Sequence, residues 1–320
     1  MKKPVLIVIT GPTASGKSAL AVSLAQILKT EIISADSRQI YKNIPIVTAA
    51  PTEEEKKDIP HHLLEVLPLD AYYSAAKFEE DTKFILNDIY KKKDIAILCG
   101  GSMLYIDALI KGIDELPTVP KDIRDSLTIE WGKKGNQWLL SKLEKIDPFY
   151  FKIVDKNNFK RIFHAIEVSM TANVPYSSLL SLEANRKKEL PFDVIKICLS
   201  GDREKLFQRI NSRVETMMKL GLKEEARRVY PIRHLNSLNT VGLKEMFLMF
   251  DGILTEKEAI SRIQKNTRVY AKKQLTWHKR DPDMIYLNFI DPLIRNTEKL
   301  IEIIKKRKIV SQHSAAGDLT

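Results

Sequence analysis

Val5-Leu6-Ile7-Val8-Ile9-Thr10-Gly11-Pro12-Thr13-Ala14-Ser15-Gly16-Lys17-Ser18 is the stretch that decides the fold. Val5 to Ile9 is an unbroken apolar run rich in β-branched side chains, the pattern of a strand buried on both faces of a parallel sheet. Gly11 to Ser18 fits G-x-x-x-x-G-K-[ST], in which glycine lets successive backbone N–H groups turn toward one anion. Lys17 adds a point charge, and the Ser18 hydroxyl is placed to hold Mg²⁺. Ser18 to Leu28 then repeats Leu20, Leu24, Ile27 and Leu28 at helical spacing. Strand, loop and helix in this order predict a di- or triphosphate site over Gly11, Pro12, Thr13, Ala14, Ser15, Gly16, Lys17 and Ser18.

The same rhythm recurs downstream. Glu31 to Ser34 reads as a short strand, Ser74 to Tyr90 as a helix, and Ile95 to Cys99 as a second buried strand ending in Gly100-Gly101. Repeated strand–helix–strand units predict an α/β fold with a parallel sheet covered by helices. Between Leu116-Pro117 and Leu190-Pro191 strand character disappears, and helical patterns occupy Ile123 to Lys134, Trp138 to Ile146 and Phe159 to Met170. Strand character returns at Val194 to Leu199, followed by a helix from Asp202, its N-cap, to Leu220. Further helical patterns cover Leu243 to Phe250, Glu256 to Trp277 and Pro292 to Lys308. The expected organisation is a core over 1–115 and 192–310, a helical insert over 116–191 and a loose polar tail over 311–320.

The composition excludes several classes. At 320 residues, 44% hydrophobic and 29% charged, the chain has the make-up of a globular protein with a sizeable core. Its two cysteines, Cys99 and Cys198, lie far apart in apolar runs without metal-ligand spacing, as expected for buried thiols in a reducing compartment. No segment approaches the apolar length of a membrane span, so the expectation is a cytoplasmic protein with no membrane partner. The 52 basic and 41 acidic side chains leave a formal charge of +11, which favours an anionic partner. Seven Lys or Arg residues and no acidic residue fall between Arg262 and Arg280. At ~100° per residue, Arg262, Lys265, Arg268, Val269, Lys272 and Lys273 share one side of that helix, while Ile263, Thr267, Tyr270, Gln274 and Trp277 share the other. A polyanion spanning several phosphates suits such a stripe better than a small metabolite does; a surface helix that adds solubility is the plain alternative.

Two further features bear on chemistry. Ile95 to Cys99 ends in Gly100-Gly101-Ser102 without the carboxylate that motor and switch NTPases place there for Mg²⁺. Asp36 follows the second strand directly, where carboxyl ends of neighbouring strands open onto one crevice, although an isolated Asp there also reads as a turn or cap residue. Arg209 and Arg213 lie one turn apart, as either a diphosphate clamp or a solvated face.

Taken together, Gly11-Pro12-Thr13-Ala14-Ser15-Gly16-Lys17-Ser18, Asp36-Ser37-Arg38-Gln39-Ile40-Tyr41, Thr48-Ala49-Ala50-Pro51, His61-His62-Leu63, Tyr73-Ser74-Ala75, Gly100-Gly101-Ser102-Met103-Leu104-Tyr105 and Lys272-Lys273-Gln274-Leu275-Thr276-Trp277 resemble the tRNA dimethylallyltransferase (tRNA isopentenyltransferase, IPP transferase) family. The resemblance runs in order from about Val5 to Arg280. It implies a P-loop NTPase-like, nucleotide-kinase-like α/β core with an inserted all-helical, tRNA-binding subdomain. It also implies transfer of a dimethylallyl group from dimethylallyl diphosphate to N6 of the adenosine just 3′ of a tRNA anticodon, with Mg²⁺ as cofactor.

By motif matching, the resemblance assigns the diphosphate to the loop ending in Lys17 and Ser18, base catalysis to Asp36, and stabilisation of the leaving oxygen to Arg213. Contacts to the tRNA anticodon stem-loop are expected from Asp36, Ser37, Arg38, Gln39, Ser102, Arg124, Lys160, Arg161, His164, Lys272 and Lys273, and the working form is expected to be a monomer. Ala50, Lys160, His164 and Leu243 depart from the family's usual residues. The residues by themselves also admit an ATP-dependent small-molecule kinase or an NTP-controlled RNA-binding protein without catalysis.

Overall fold

A computed structural model describes residues 3–112, 116–180 and 189–317, with side chains to position 306. The first strand, β1 (Val5–Thr10), is buried along its whole length and continues into helix α1 (Lys17–Leu28). Next come β2 (Ile32–Ser34), the short helices α2 (Pro45–Thr48) and α3 (Glu53–Lys56), β3 (His61–His62), α4 (Ala75–Tyr90), β4 (Ile95–Cys99) and α5 (Met103–Lys111). A run of helices follows: α6 (Lys121–Ile146), α7 (Pro148–Ile153), α8 (Phe159–Ala172) and α9 (Tyr176–Leu179). The sheet resumes with β5 (Asp193–Ser200), then α10 (Arg203–Lys219), α11 (Leu222–Val229), α12 (Leu243–Phe250), α13 (Glu256–His278), β6 (Ile285–Asn288) and α14 (Leu293–Gly317).

All strand pairs are parallel, in the order β3-β2-β4-β1-β5-β6. β1 is central, with Val5 opposite Ile95 on one side and Asp193 on the other. Its side chains alternate between two cores: Leu6 and Val8 pack in one, Val5, Ile7 and Ile9 in the other. β4 divides in the same way, with Ala96 and Leu98 on the first side and Ile95, Ile97 and Cys99 on the second. A sheet covered on both faces needs apolar side chains at every position, which is why these strands read as continuous runs rather than alternating ones. The connection after β1 moves to β2 at one side, and β5 lies on the other, so the loop at the end of β1 sits where strand order reverses.

The chain divides into one compact unit of Met1–Ile110 with Leu190–Thr320 and a second of Lys111–Glu189. Among its described residues the second unit is helical. It has its own core of Leu127, Leu139, Leu143, Ile162, Ala165 and Ile166, flanked by Trp131 and Trp138. The two helical patterns separated at 135 belong to one element that breaks at Gly135, whose φ of 75° and ψ of −174° no helix accommodates.

Three features differ from the sequence expectation. The edge strands β3 and β6 are too short to announce themselves in the sequence: one is two residues long and the other four, with Leu287 its one buried side chain. The last helix continues through Ser311 to Gly317, where a loose tail was expected; no Gly or Pro interrupts it before Gly317. Positions 318–320 of the expected tail lie outside the described residues, as do 113–115 beside the expected domain boundary.

Leu143 is fully buried in a core of few side chains. Replacing it with Ala is expected to cost about 2–5 kcal/mol of stability in the Lys111–Glu189 unit, read as an earlier urea transition in the fluorescence of Trp131 and Trp138.

Candidate active site

The loop after β1 adopts its shape through positive φ angles at Gly11 (141°), Ala14 (65°) and Gly16 (92°). Gly16 is the N-cap of α1 and supplies no side-chain acceptor, so the first-turn N–H groups of that helix have no capping oxygen. That arrangement, added to the helix dipole, is an anion cradle. Lys17 folds back so that Nζ donates to the Pro12 carbonyl at 2.9 Å. Ser15 Oγ is buried without a hydrogen-bond partner. Arg213, from α10, donates through Nη1 to Thr13 Oγ1 at 2.7 Å.

Burial pushes the Lys17 ammonium below its ordinary pKa, with the Arg213 charge adding to that effect and Cys99 and Asp36 opposing it. Burial lowers the Arg213 guanidinium too, opposed by Asp36 and Glu55. Two cations are therefore held where each loses hydration, a situation that an incoming polyanion relieves. The thiols on either side of β1 are chemically quiet: burial pushes Cys99 to about 11 and Cys198 to about 12.

Asp36 is carried to the same place by the end of β2. Its Oδ1 accepts from the backbone N–H groups of Arg38 (2.9 Å) and Gln39 (3.3 Å), which is the turn role that the sequence alone allows. The carboxylate nonetheless faces a cavity of about 1510 Å³ that Lys17, Ser18 and Arg213 also line. Gly100 makes this approach possible, because a Cβ there would lie 2.1 Å from the Ala35 carbonyl oxygen. Ser102, buried, locks the turn by accepting through Oγ from the Ser37 N–H at 2.8 Å. Arg38 donates to the carbonyls of Asn236 and Ser237, and Gln39 to those of Thr48 and Ala49. These residues, expected to touch RNA, act in this structure as struts that hold the cavity wall. Glu225, fully buried, does similar work on the opposite side by accepting from the Ile46 and Val47 N–H groups at 2.9 and 2.8 Å.

The expected site residues thus divide. Thr13, Ala14, Gly16, Lys17, Ser18, Asp36 and Arg213 share the cavity, as do Ser37, Arg38 and Gln39. Gly11, Pro12 and Ser15 shape the loop without lining that space, and Ser102 lies behind it. In the helical unit Lys160, Arg161 and His164 are exposed along α8. Arg124 is engaged instead in a two-pronged ion pair with buried Glu167 at 2.8 and 3.0 Å, and His164 Nδ1 lies 2.9 Å from the same carboxylate.

On α13 the buried stripe is Ala259, Ile263, Ala271, Gln274 and His278, and Lys272 and Lys273 are exposed. Tyr270, expected on the packed side, is 40% exposed and lines the cavity. Arg268, expected on the open side, donates to Asn211 Oδ1 at 2.6 Å. Ile263 and Gln274 face inward as the periodicity places them, whereas Ala271 and His278 are buried where Tyr270 and Trp277 were expected, and both Gln274 and His278 find polar partners inside. Gln274 Oε1 accepts from the Thr13 N–H at 3.0 Å while its Nε2 donates to the Gly101 carbonyl at 2.9 Å. His278 Nε2 lies 3.1 Å from Thr10 Oγ1. In the sequence Gln274 is marked by its place on the packed side and by the familiar string from Lys272 to Trp277, whereas nothing marks His278.

Among the described residues no cluster of three or more His, Cys, Asp or Glu side chains is arranged to hold a metal. The donor set fits Mg²⁺ nonetheless: Ser18 and Asp36 offer hard oxygens on one cavity, and Mg²⁺ commonly takes its remaining ligands from water and substrate phosphate.

Burial holds His278 at about 4, against an ordinary 6.5. The unfolded chain then takes up this proton first as pH falls, so the stability His278 contributes is complete above pH 6.5 and is lost between 6.5 and 4, at up to about 1.4 kcal/mol per pH unit. Thermal melts from pH 7.5 to 4.5 should show a shallower acid decline in His278→Gln than in the parent protein; equal slopes would remove His278 from the acid response.

A family model described as IPP transferase matches residues 39–281. A tRNA dimethylallyltransferase 2 from Parabacteroides distasonis is 47% identical over 283 residues, covering 88% of this chain and 94% of that protein. A tRNA dimethylallyltransferase 1 from Phocaeicola vulgatus is 48% identical over 88% of this chain and 93% of its own length. Among solved structures, the full-length tRNA isopentenylpyrophosphate transferase from Bacillus halodurans is similar with a TM-score of 0.72 and 31% identity, covering 97% of this chain and all of that one. A eukaryotic dimethylallyltransferase acting on tRNA is similar with a TM-score of 0.75 and 26% identity, over 89% of this chain and 74% of that one.

Proposed function

The chain belongs to the IPP transferase family, and from that premise we propose that it moves a dimethylallyl group from dimethylallyl diphosphate to N6 of the adenosine just 3′ of a tRNA anticodon, releasing diphosphate. The observation that carries this reading is the convergence of the anion loop, Arg213 and a carboxylate on one cavity of about 1510 Å³. That space exceeds what a single small diphosphate needs and leaves room for a second reactant beside it.

The residues divide the work as follows. Loop N–H groups, Lys17 and Arg213 hold the diphosphate and stabilise the charge that grows on its oxygen as the allylic C–O bond breaks. The adenine amine is a weak nucleophile because its lone pair is delocalised into the ring. As the new N–C bond forms, an N6 proton passes to the Asp36 carboxylate, whose Oδ1 is fixed by two backbone N–H groups while Oδ2 makes no hydrogen bond among the described residues. Ser18 would hold Mg²⁺, which when bound would neutralise further diphosphate charge.

The target base must leave its stack to enter the cavity, which suits an anticodon loop rather than a duplex. Exposed Lys272 and Lys273 on α13, and Lys160 and Arg161 on α8, suit the RNA backbone. The absence of a carboxylate at the end of β4, in Cys99-Gly100-Gly101, counts against a motor or switch NTPase. Among the described residues no helix is long and apolar enough to cross a membrane.

Nucleoside mass spectrometry after incubation of unmodified tRNA with dimethylallyl diphosphate and Mg²⁺ tests the reading. N6-dimethylallyladenosine is the expected product; labelled phosphate on an acceptor in a parallel ATP reaction would mark a kinase, and nucleotide-dependent RNA binding with no altered base would mark a non-catalytic protein.

Asp36→Asn keeps an oxygen for the turn but removes the proton acceptor, so kcat should fall by about 10²–10⁴ while tRNA affinity stays within about twofold of the parent. Near-normal turnover would release Asp36 from the chemistry. Lys272→Ala with Lys273→Ala should weaken tRNA binding and reduce the log–log salt slope by about 1–2, measured by filter binding across a salt series.

A further inference from the structure

The side of α13 opposite its exposed lysines holds a polar group in a place where packing alone would select an apolar one. Ala259, Ile263 and Ala271 occupy the same buried stripe, yet Gln274 continues it at 2% exposure. A buried primary amide is costly unless both of its ends are paired, and here both are: Oε1 with the Thr13 N–H and Nε2 with the Gly101 carbonyl. The second partner is itself specialised, since a Cβ on Gly101 would lie 2.3 Å from Gln274 Nε2. The amide therefore sits between the phosphate loop and the end of β4, in space that a side chain at Gly101 would take from it.

We propose that Gln274 is a positioning residue for the diphosphate loop, fixing the direction of the Thr13 peptide and tying the loop to Gly101 so that the neighbouring N–H groups and the Thr13 hydroxyl, held by Arg213, converge on the leaving group. This deepens the functional reading and rests on it in one respect, that the loop is where the diphosphate sits. Thr13 is the junction: its N–H is held by Gln274 and its hydroxyl by Arg213 at 2.7 Å. Without the amide, Thr13 gains freedom to turn its N–H elsewhere, and Arg213 loses a fixed partner at the bridging position. Gln274 lines the cavity, but both ends of its amide are already taken by backbone groups of the protein, and Lys272 and Lys273 on the same helix are exposed. One helix thus serves RNA on one side and loop geometry on the other.

Two variants and one ligand test this. Gln274→Met preserves volume and removes both hydrogen bonds, leaving two buried backbone groups unpaired. Its KM for dimethylallyl diphosphate and its Kd for inorganic pyrophosphate with Mg²⁺, by calorimetry, should each rise about tenfold, while KM for tRNA stays within about twofold.

Gln274→Glu keeps shape and acceptor. When protonated, its O–H can donate to the Gly101 carbonyl as the amide does; when ionised it repels both that carbonyl and the anion. The ratio of its kcat/KM for the diphosphate substrate to that of the parent should therefore rise as pH falls from 8 to 6. The titratable and charged groups around the position are Lys17 on the loop, Asp36 after β2, Cys99 at the end of β4, Arg213 on α10, and Tyr270 and His278 on α13; the ratio to the parent removes their own titration and leaves the new carboxylate together with its coupling to them.

Pyrophosphate affinity unchanged in both variants, or a flat ratio with pH, would overturn the proposal, as would equal losses in the tRNA and diphosphate parameters of Gln274→Met. Should the parent protein bind pyrophosphate but transfer no prenyl group, the functional reading fails, whereas the calorimetric comparison still decides the role of Gln274.

Discussion

Two half-buried cations facing one cavity are the constraint around which this molecule is organised. Lys17 arrives from the loop after β1 and Arg213 from α10, and both lose hydration in a cavity that Asp36 and Glu55 also line. Burying charge in this way disfavours the apo state and favours whatever polyanion enters. The surrounding structure keeps the cations from escaping to solvent: Lys17 is bound back to the Pro12 carbonyl, and Arg213 to Thr13. A site pre-set for an anion in this manner holds its donors in place without reorganising when negative charge develops.

The sheet supplies the rigidity that this requires. β1 is paired on both edges and covered on both faces, so the loop that follows it leaves from one of the least deformable parts of the chain. β4 brings Gly100 and Gly101 alongside, and these two residues perform different tasks. Gly100 lets the backbone before Asp36 approach, and Gly101 admits the amide of Gln274. A dipeptide that looks like loop punctuation in the sequence therefore sets the spacing between the anion cradle and the carboxylate.

Charged residues expected to meet RNA fall into two groups. Lys160, Arg161, Lys272 and Lys273 are exposed and available to a phosphate backbone. Arg38 and Arg124 are instead held by carbonyls and by Glu167, respectively. A sequence reading weighs an arginine by its charge and its neighbours along the chain. It does not see that Glu167 lies opposite Arg124, because that pairing depends on two helices, α6 and α8, packing over a shared core.

The parallel α/β core, the phosphate loop and its lysine, and the helical interruption after β4 were determined by the sequence alone. Each is written in local patterns: a run of β-branched residues, a glycine spacing, a change of hydrophobic period. The positions of most helices follow from the same periodicity. What only the tertiary structure decided is which polar side chains face inward. His278 turns inward to Thr10, the Gln274 amide finds its two backbone partners on other segments, Glu225 enters the core to hold the backbone of α2, and Asp36 serves a turn and a cavity at once. Hydrophobic burial is read along one chain segment, but a buried hydrogen bond needs a partner supplied by another, and its location becomes known only when both segments are in place.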